Sequence, residues 1–147
     1  MSILPNEPRI FHFPQGIPGF ETHHDFRFFP EEDAMLAQLI SVQEEKIGFI
    51  LMRPEAYFPE YLKGLDVDEE SIKVLNVHAD MPVDVWVILT LHRQDMAKTT
   101  ANLRAPILFN TVDRIGMQVI FNDDRYPSRQ PIFTEENQKP RQEGVAG

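Results

Sequence analysis

Val83-Asp84-Val85-Trp86-Val87-Ile88-Leu89-Thr90-Leu91 is the stretch on which the fold turns. It is rich in β-branched and aromatic residues, which fit a pleated strand. Successive side chains of a strand point to opposite faces. Val83, Val85, Val87, Leu89 and Leu91 therefore share one face, and Asp84, Trp86, Ile88 and Thr90 the other. Immediately before it, Asp80-Met81-Pro82 makes a tight connection.

Working upstream, Arg9 to Phe13 and Phe26 to Phe29 read as short aromatic-rich strands. Ala34 to Val42 carries a stripe at Met35, Leu36, Leu39 and Ile40 that also fits a helix, but its neighbours favour a strand. Ile47 to Met52 is a continuous apolar run, as expected of a central strand. Beyond Pro54, Glu55 to Leu62 reads as one or two helical turns, with Gly64 as the stop. Asp66 to Ser71 is a polar loop or short helix, and Val74 to Ala79 a strand.

Downstream, Thr99 to Ala105 reads as an irregular polar connection. Ile107 to Asn110 and Gly116 to Phe121 are strands, Asn122-Asp123-Asp124 a turn, and Ile132-Phe133 a final strand. Many short strands with frequent turn signals predict a mainly β fold. The expected architecture is a single antiparallel β-barrel-like domain over residues 1–133, with one or two short helices. Residues 134–147 hold no large apolar side chain except Val145, which predicts a disordered tail.

One segment stands out for rigidity. Phe13-Pro14-Gln15-Gly16-Ile17-Pro18-Gly19-Phe20-Glu21 sets two prolines against two glycines, and the prolines remove much of its backbone freedom. A specifically shaped turn follows, with positive φ expected at one or both glycines.

Charge and composition narrow the function. The 147-residue chain has no cysteine, so it has no disulfide, thiolate metal site or cysteine nucleophile. Its start lacks the charged and apolar regions of a secretory signal, and no apolar run nears the ~20 residues of a membrane span. These features predict a cytoplasmic protein. The net charge is -9. All of the excess lies in residues 1–70, which hold 14 acidic and 5 basic residues. Phosphate contacts need clustered Lys and Arg, and none of the basic residues forms a run, so direct nucleic-acid binding is not expected. The acidic half is either a solubility feature or a docking face for a basic partner.

Catalytic constellations are weak. Asp66-x-Asp68 resembles the opening of a calcium loop, but Ser71 and Val77 stand where that loop needs Gly and Glu. His23 and His24 would point to opposite faces of an extended segment and cannot chelate together easily. A metal-assisted small-molecule enzyme built on His12, His23 or His78 is the alternative function these residues leave open. No serine elbow, phosphate loop or dinucleotide fingerprint occurs. An enzyme is not expected, and no cofactor is implied.

Binding residues are easier to nominate. In Thr100-Ala101-Asn102-Leu103-Arg104-Ala105-Pro106-Ile107, Asn102 can bond neighbouring backbone and hold the loop, and Pro106 extends Ala105 into the next strand. Asn102 and Leu103 then belong to a preformed loop. Tyr57 and Tyr61 share one helical face if Glu55 to Leu62 is helical, as packing or as interface anchors. Glu31, Glu32 and Asp33 form an acidic patch suited to steering a basic partner, and the same logic extends to Asp66 to Glu70.

Taken in order, several motifs resemble the FliW family of flagellar assembly factors. They are Phe13-Pro14-x-Gly16-Ile17-Pro18-Gly19-Phe20-Glu21, Ile47-Gly48-Phe49 with Pro54, and Tyr61. Thr100-Ala101-Asn102-Leu103-x-Ala105-Pro106-Ile107, Asn110, Gln118-Val119 and Tyr126 follow. The resemblance spans about residues 9–133. Arg53 departs from it, since the family often has an acid before this proline. What the resemblance implies is a cytoplasmic β-barrel-like protein without catalytic activity. Its implied partners are the RNA-binding translational repressor CsrA and flagellin, bound through flagellin's C-terminal region. Captured CsrA would leave flagellin translation free, and accumulating flagellin would displace it.

Overall fold

Alternation carried through consecutive strands closes a barrel. The computed structural model describes residues 9–32, 35–78 and 80–133. Among these, seven strands form a closed ring: β1 (Arg9–His12), β2 (Asp25–Pro30), β3 (Leu36–Ser41), β4 (Gly48–Met52), β5 (Val83–Thr90), β7 (Ile107–Asn110) and β8 (Ile115–Gln118). Two short strands, β6 (Thr100–Ala101) and β9 (Gln130–Pro131), extend the sheet from the second half of β5. The expected mainly β, barrel-like fold is what forms.

The closure depends on β5, the strand that opened the sequence argument. Its first half pairs with β7, Val83 opposite Asn110 and Trp86 opposite Ile107. Its second half pairs with β6 on one side, while Val87 to Leu89 pair with β4 on the other. Pairing is antiparallel except at one seam. There β1 meets β8 in parallel at His12 and Ile115, and the His12 N–H donates to the Arg114 carbonyl at 2.9 Å.

Every second residue fills the barrel. Phe11 and Phe13, Phe26 and Phe28, Ala37 and Leu39, Leu51, Trp86, Ile107 and Phe109 form one buried cluster. Phe11 and Phe109 rings lie 4.6 Å apart, and the Phe28 ring meets Trp86 edge-on at 5.4 Å. So many large rings fit because some positions are small. A Cβ on Gly116 would stand 2.5 Å from the Phe13 ring. Barrel interiors mix large and small side chains for this reason.

The outer face of β5 is also covered, which explains its unbroken apolar character. Val87 packs with Met52, Tyr61, Ala101, Leu103 and Ile132, while Val83 and Val85 pack toward Leu75, Leu108 and Val119. Arg53 lies over the Trp86 ring at 4.3 Å and reaches Asp84 at 3.4 Å.

Four sequence expectations need correction, the smallest being that the final strand is Gln130–Pro131 and not Ile132-Phe133. Val74 to His78 holds no strand: Val74 and Leu75 end helix α1 (Glu69–Leu75), while Ala79, the last residue of that reading, lies outside the described residues. Asp68 caps its N-terminus by accepting the Ser71 N–H at 3.2 Å, and Asn76 closes it in the left-handed region at φ 57°. Acids in the first turn and Lys73 in the last suit the helix dipole. Of the two alternatives for Asp66 to Ser71, the loop holds over Asp66 to Asp68 and the helix from Glu69. Next, Glu55 to Leu62 is not a continuous helix but two 3-10 turns, Pro54–Ala56 and Leu62–Gly64. Pro59 lacks an N–H and disfavours helical geometry at Phe58, so no helix crosses it. Lastly, Thr99 to Ala105 is an irregular connection only from Asn102 on: Thr100 and Ala101 pair as β6, and Thr99, Ala101, Leu103 and Ala105 are buried. The proposed tail, 134–147, lies outside the described residues. No helix among the described residues is long and apolar enough to cross a membrane.

Candidate functional site

The rigid nonapeptide becomes two linked turns. Phe13 is buried in the barrel, and its carbonyl accepts the Gly16 N–H at 2.9 Å. Ile17 to Phe20 then closes through the Phe20 N–H to the Ile17 carbonyl at 2.6 Å. Proline second and glycine third in that turn match its type II geometry. Gly16 and Gly19 have φ of 66° and 91°, as the sequence predicts. The Gly19 N–H donates to Glu21 Oε2 at 3.0 Å. That bond, and then Glu21's own N–H, hold the Glu21 carboxyl below its ordinary range.

Opposite this turn lies the loop 102–106. Asn102 Oδ1 accepts the Arg104 and Ala105 N–H groups, each at 3.1 Å. This is the loop-holding role expected of it, achieved without left-handed geometry. Leu103 is buried. Its N–H donates to the Pro127 carbonyl at 3.0 Å, and its carbonyl accepts the Tyr61 hydroxyl at 2.6 Å. Burial, with Tyr126 nearby, pushes the Tyr61 phenol above its ordinary range. Arg104 braces the loop from the other side, donating to the Tyr126 carbonyl at 3.0 Å and reaching Asp124 at 3.2 Å. Gln118 Nε2 donates to the Ala105 carbonyl at 2.9 Å.

Turn and loop face each other across a cleft of about 350 Å³. Ile17 and Pro18 line it from the turn, Phe49 from β4, Asn102, Arg104 and Ala105 from the loop, and Gln118 from the end of β8. Residues more than a hundred positions apart thus meet on one surface. A second cleft of about 400 Å³ adjoins it, lined by Glu21, Asp66 and Asp68 above Met117, Val119 and Phe121. Ile120 was not nominated as a binding residue, whereas Asp66 and Asp68 lie in the acidic stretch Asp66 to Glu70 that the charge argument also reaches. The signal available for Ile120 was its place in the alternation of Gly116 to Phe121, on the face opposite Met117, Val119 and Phe121.

The nominated residues separate into groups. Leu103, Tyr61 and Tyr57 share one apolar cluster beneath the loop. Tyr57 meets Phe133 edge-on at 5.8 Å, and Tyr61 meets Tyr126 edge-on at 5.5 Å. Only Asn102 of the nominated set lines the first cleft. Glu31 and Glu32 are exposed on the β2–β3 connection, apart from both clefts, and Asp33 lies outside the described residues.

The histidines nominated for metal chemistry do not converge. His12 Nδ1 pairs with Asp25 Oδ1 at 2.9 Å, and His23 Nδ1 with Ser41 Oγ at 3.0 Å. His78 is exposed in the segment between α1 and β5. Among the described residues no group of three or more His, Asp or Glu side chains could hold a metal ion.

Comparison with known proteins bears on the same surface. The family model described as FliW protein matches residues 2–132. The flagellar assembly factor FliW of Symbiobacterium thermophilum is 37% identical over 137 residues, covering 92% of this chain and 97% of that protein. Its counterpart in Geobacillus thermodenitrificans is 38% identical over 130 residues, 88% of each. A crystal structure of the flagellar assembly factor FliW matches with a TM-score of 0.77 at 35% identity, over 92% of both chains. Since the matched span contains the whole ring and both motif-bearing walls of the cleft, the chain belongs to the FliW family of flagellar assembly factors.

Proposed function

We propose that this protein is a regulatory binding factor of flagellar assembly. It captures CsrA, which frees flagellin translation, and it gives CsrA up when flagellin occupies it instead. It works in the cytoplasm by stoichiometric, reversible binding, without cofactor or catalysis, and holds neither RNA nor membrane itself.

The observation that carries this reading is the convergence of distant motifs on one braced surface. Ile17 and Pro18, Phe49, Asn102 with Ala105, and Gln118 line a single cleft. Hydrogen bonds from Tyr61, Arg104 and Gln118 fix the loop that forms one wall. A surface ordered before binding loses little entropy on binding. Asn102 lies at that surface, whereas Leu103, Tyr57 and Tyr61 act from beneath by holding its shape. The acidic first half adds speed: Glu31, Glu32 and Asp33 attract a basic partner such as CsrA.

Titration into a CsrA–RNA complex tests the proposal. RNA release should saturate near a fixed protein ratio, and added flagellin should restore RNA binding. Release at far substoichiometric amounts, or RNA binding by this protein alone, would overturn it. Reversing Glu31, Glu32 and Asp33 together should slow association with CsrA and flatten its salt dependence. Unchanged association rates at low salt would reduce that patch to a solubility feature.

A further inference from the structure

The two clefts share a wall. Pro18, Gln118 and Ile120 line both, so the motif cleft and the acidic cleft form one continuous surface divided by a low ridge. Ile120 crowns the ridge and is 56% exposed. An apolar side chain this open, seated between two concavities, is a natural contact point for another protein.

The acidic side has a distinct chemistry. Its floor is apolar, from Met117, Val119 and Phe121, while Glu21, Asp66 and Asp68 bring three carboxylates to its edge. Among the described residues no Lys, Arg or His lines it. Asp68 is engaged at the start of α1, and Glu21 takes the Gly19 N–H. Asp66 has no hydrogen-bond or ion-pair partner among the described residues. Its charge is therefore uncompensated beside an apolar trough.

Such a trough suits one kind of occupant. Arg and Lys lay an apolar stem along hydrophobic surface and carry their charge to the edge. An acidic or phosphorylated ligand would meet three like charges. A bare metal ion would find no adequate ligand group.

We infer that the ridge and its acidic cleft seat a basic protein segment, in which an apolar residue packs on Pro18 and Ile120 while a neighbouring Arg or Lys lies over Met117 and Phe121 toward Glu21 and Asp66. This assignment rests on the reading of the protein as a partner-binding factor, and it locates the docking of the basic partner. It separates two acidic regions by role. Glu31, Glu32 and Asp33 act at a distance, whereas Asp66 acts in contact.

Two probes test it by amide NMR. The peptide acetyl-Leu-Arg-amide should shift the signals of Gly16, Gln118, Ile120 and Asn122, and acetyl-Leu-Glu-amide should not. CsrA is then titrated against wild type, Asp66→Lys and Ile120→Ser. Neither replaced side chain makes a polar contact with another described residue, and Trp86 fluorescence melts verify folding. Each variant should weaken CsrA binding roughly tenfold, through lost and reversed rim charge or a lost apolar contact. Equal CsrA affinity for all three proteins would overturn the inference while leaving the proposed function intact. If wild type fails to bind CsrA but the Leu-Arg peptide still maps to the cleft, the proposed function falls and the seat stands. Self-association abolished by Asp66→Lys would make the occupant a second copy of this chain and overturn the assignment.

Discussion

Replacing Gly16 and Gly19 separately by alanine distinguishes two reasons for a glycine. Both have positive φ, 66° and 91°. Left-handed geometry costs an L-residue about 1–2 kcal/mol, and the stiffer unfolded chain returns about 0.4–1 kcal/mol. Gly19→Ala meets nothing further, since no atom lies within 4 Å of its added Cβ. Its net loss should be about 1 kcal/mol. At Gly16 the Cβ would stand 2.7 Å from the Glu21 Cα and 2.8 Å from its carbonyl oxygen. Both are backbone atoms and cannot swing aside. Forcing extra volume into a packed site adds roughly 1–3 kcal/mol, which brings Gly16→Ala to about 2–4 kcal/mol. Trp86 is the chain's only tryptophan and is buried, so its fluorescence reports unfolding directly. For a chain of this size each kcal/mol lowers Tm by about 2–4 °C. Equal losses for the two variants would refute the close-approach argument. A Gly16→Ala protein melting with wild type would refute the rigid turn altogether.

Other perturbations probe the supports of the surface. Tyr61→Phe removes the hydroxyl that satisfies the Leu103 carbonyl and should cost about 1–3 kcal/mol at neutral pH in urea unfolding. The Tyr61 phenol is raised above its ordinary value of 10.0, so its contribution is complete below that pH and is lost as pH rises through the folded value. Tyr61→Phe should therefore also flatten the alkaline loss of stability; an unchanged alkaline limb would exclude Tyr61 as its source. Asn110→Ala should cost about 3 kcal/mol and speed hydrogen exchange across α1, because the buried Asn110 amide donates to the Leu75 carbonyl at 2.8 Å and accepts from Val112 and Asp113. Exchange in α1 matching wild type would show that the helix does not depend on it. Arg53→Ala should cost about 1 kcal/mol and alter Trp86 emission, since it removes the guanidinium over the indole. Identical emission would mean that the stacking is absent in solution.

Strands were legible where the alternation was long or the neighbours agreed. Val83 to Thr90 could be read by itself, down to which face carried Trp86. Ala34 to Val42 needed its context, because the same apolar spacing fits a helix. The helix over Glu69–Leu75 was missed because its apolar residues are few and its last two, Val74 and Leu75, run into Val77 and resemble a strand. Asn76 argues against that strand, because it ends a helix well in the left-handed region. Glu55 to Leu62 misled in the opposite way: the Tyr57 and Tyr61 spacing suggested a helical face, while Pro59 forbade one.

By itself the sequence determined the mainly β class, the positive φ of Gly16 and Gly19, the bonding role of Asn102 and the family to which the motifs point. Each of these is local: it follows from side-chain period, from the missing Cβ of glycine, from the reach of a short amide, or from residues adjacent in the chain. Tertiary structure decided the rest. It set the parallel seam between β1 and β8, the burial of Leu103 under the Tyr61 hydroxyl, and the meeting of Pro18 with Gln118 and Ile120 between two clefts. These depend on which strands become neighbours when the ring closes, and closure is a property of all seven strands together.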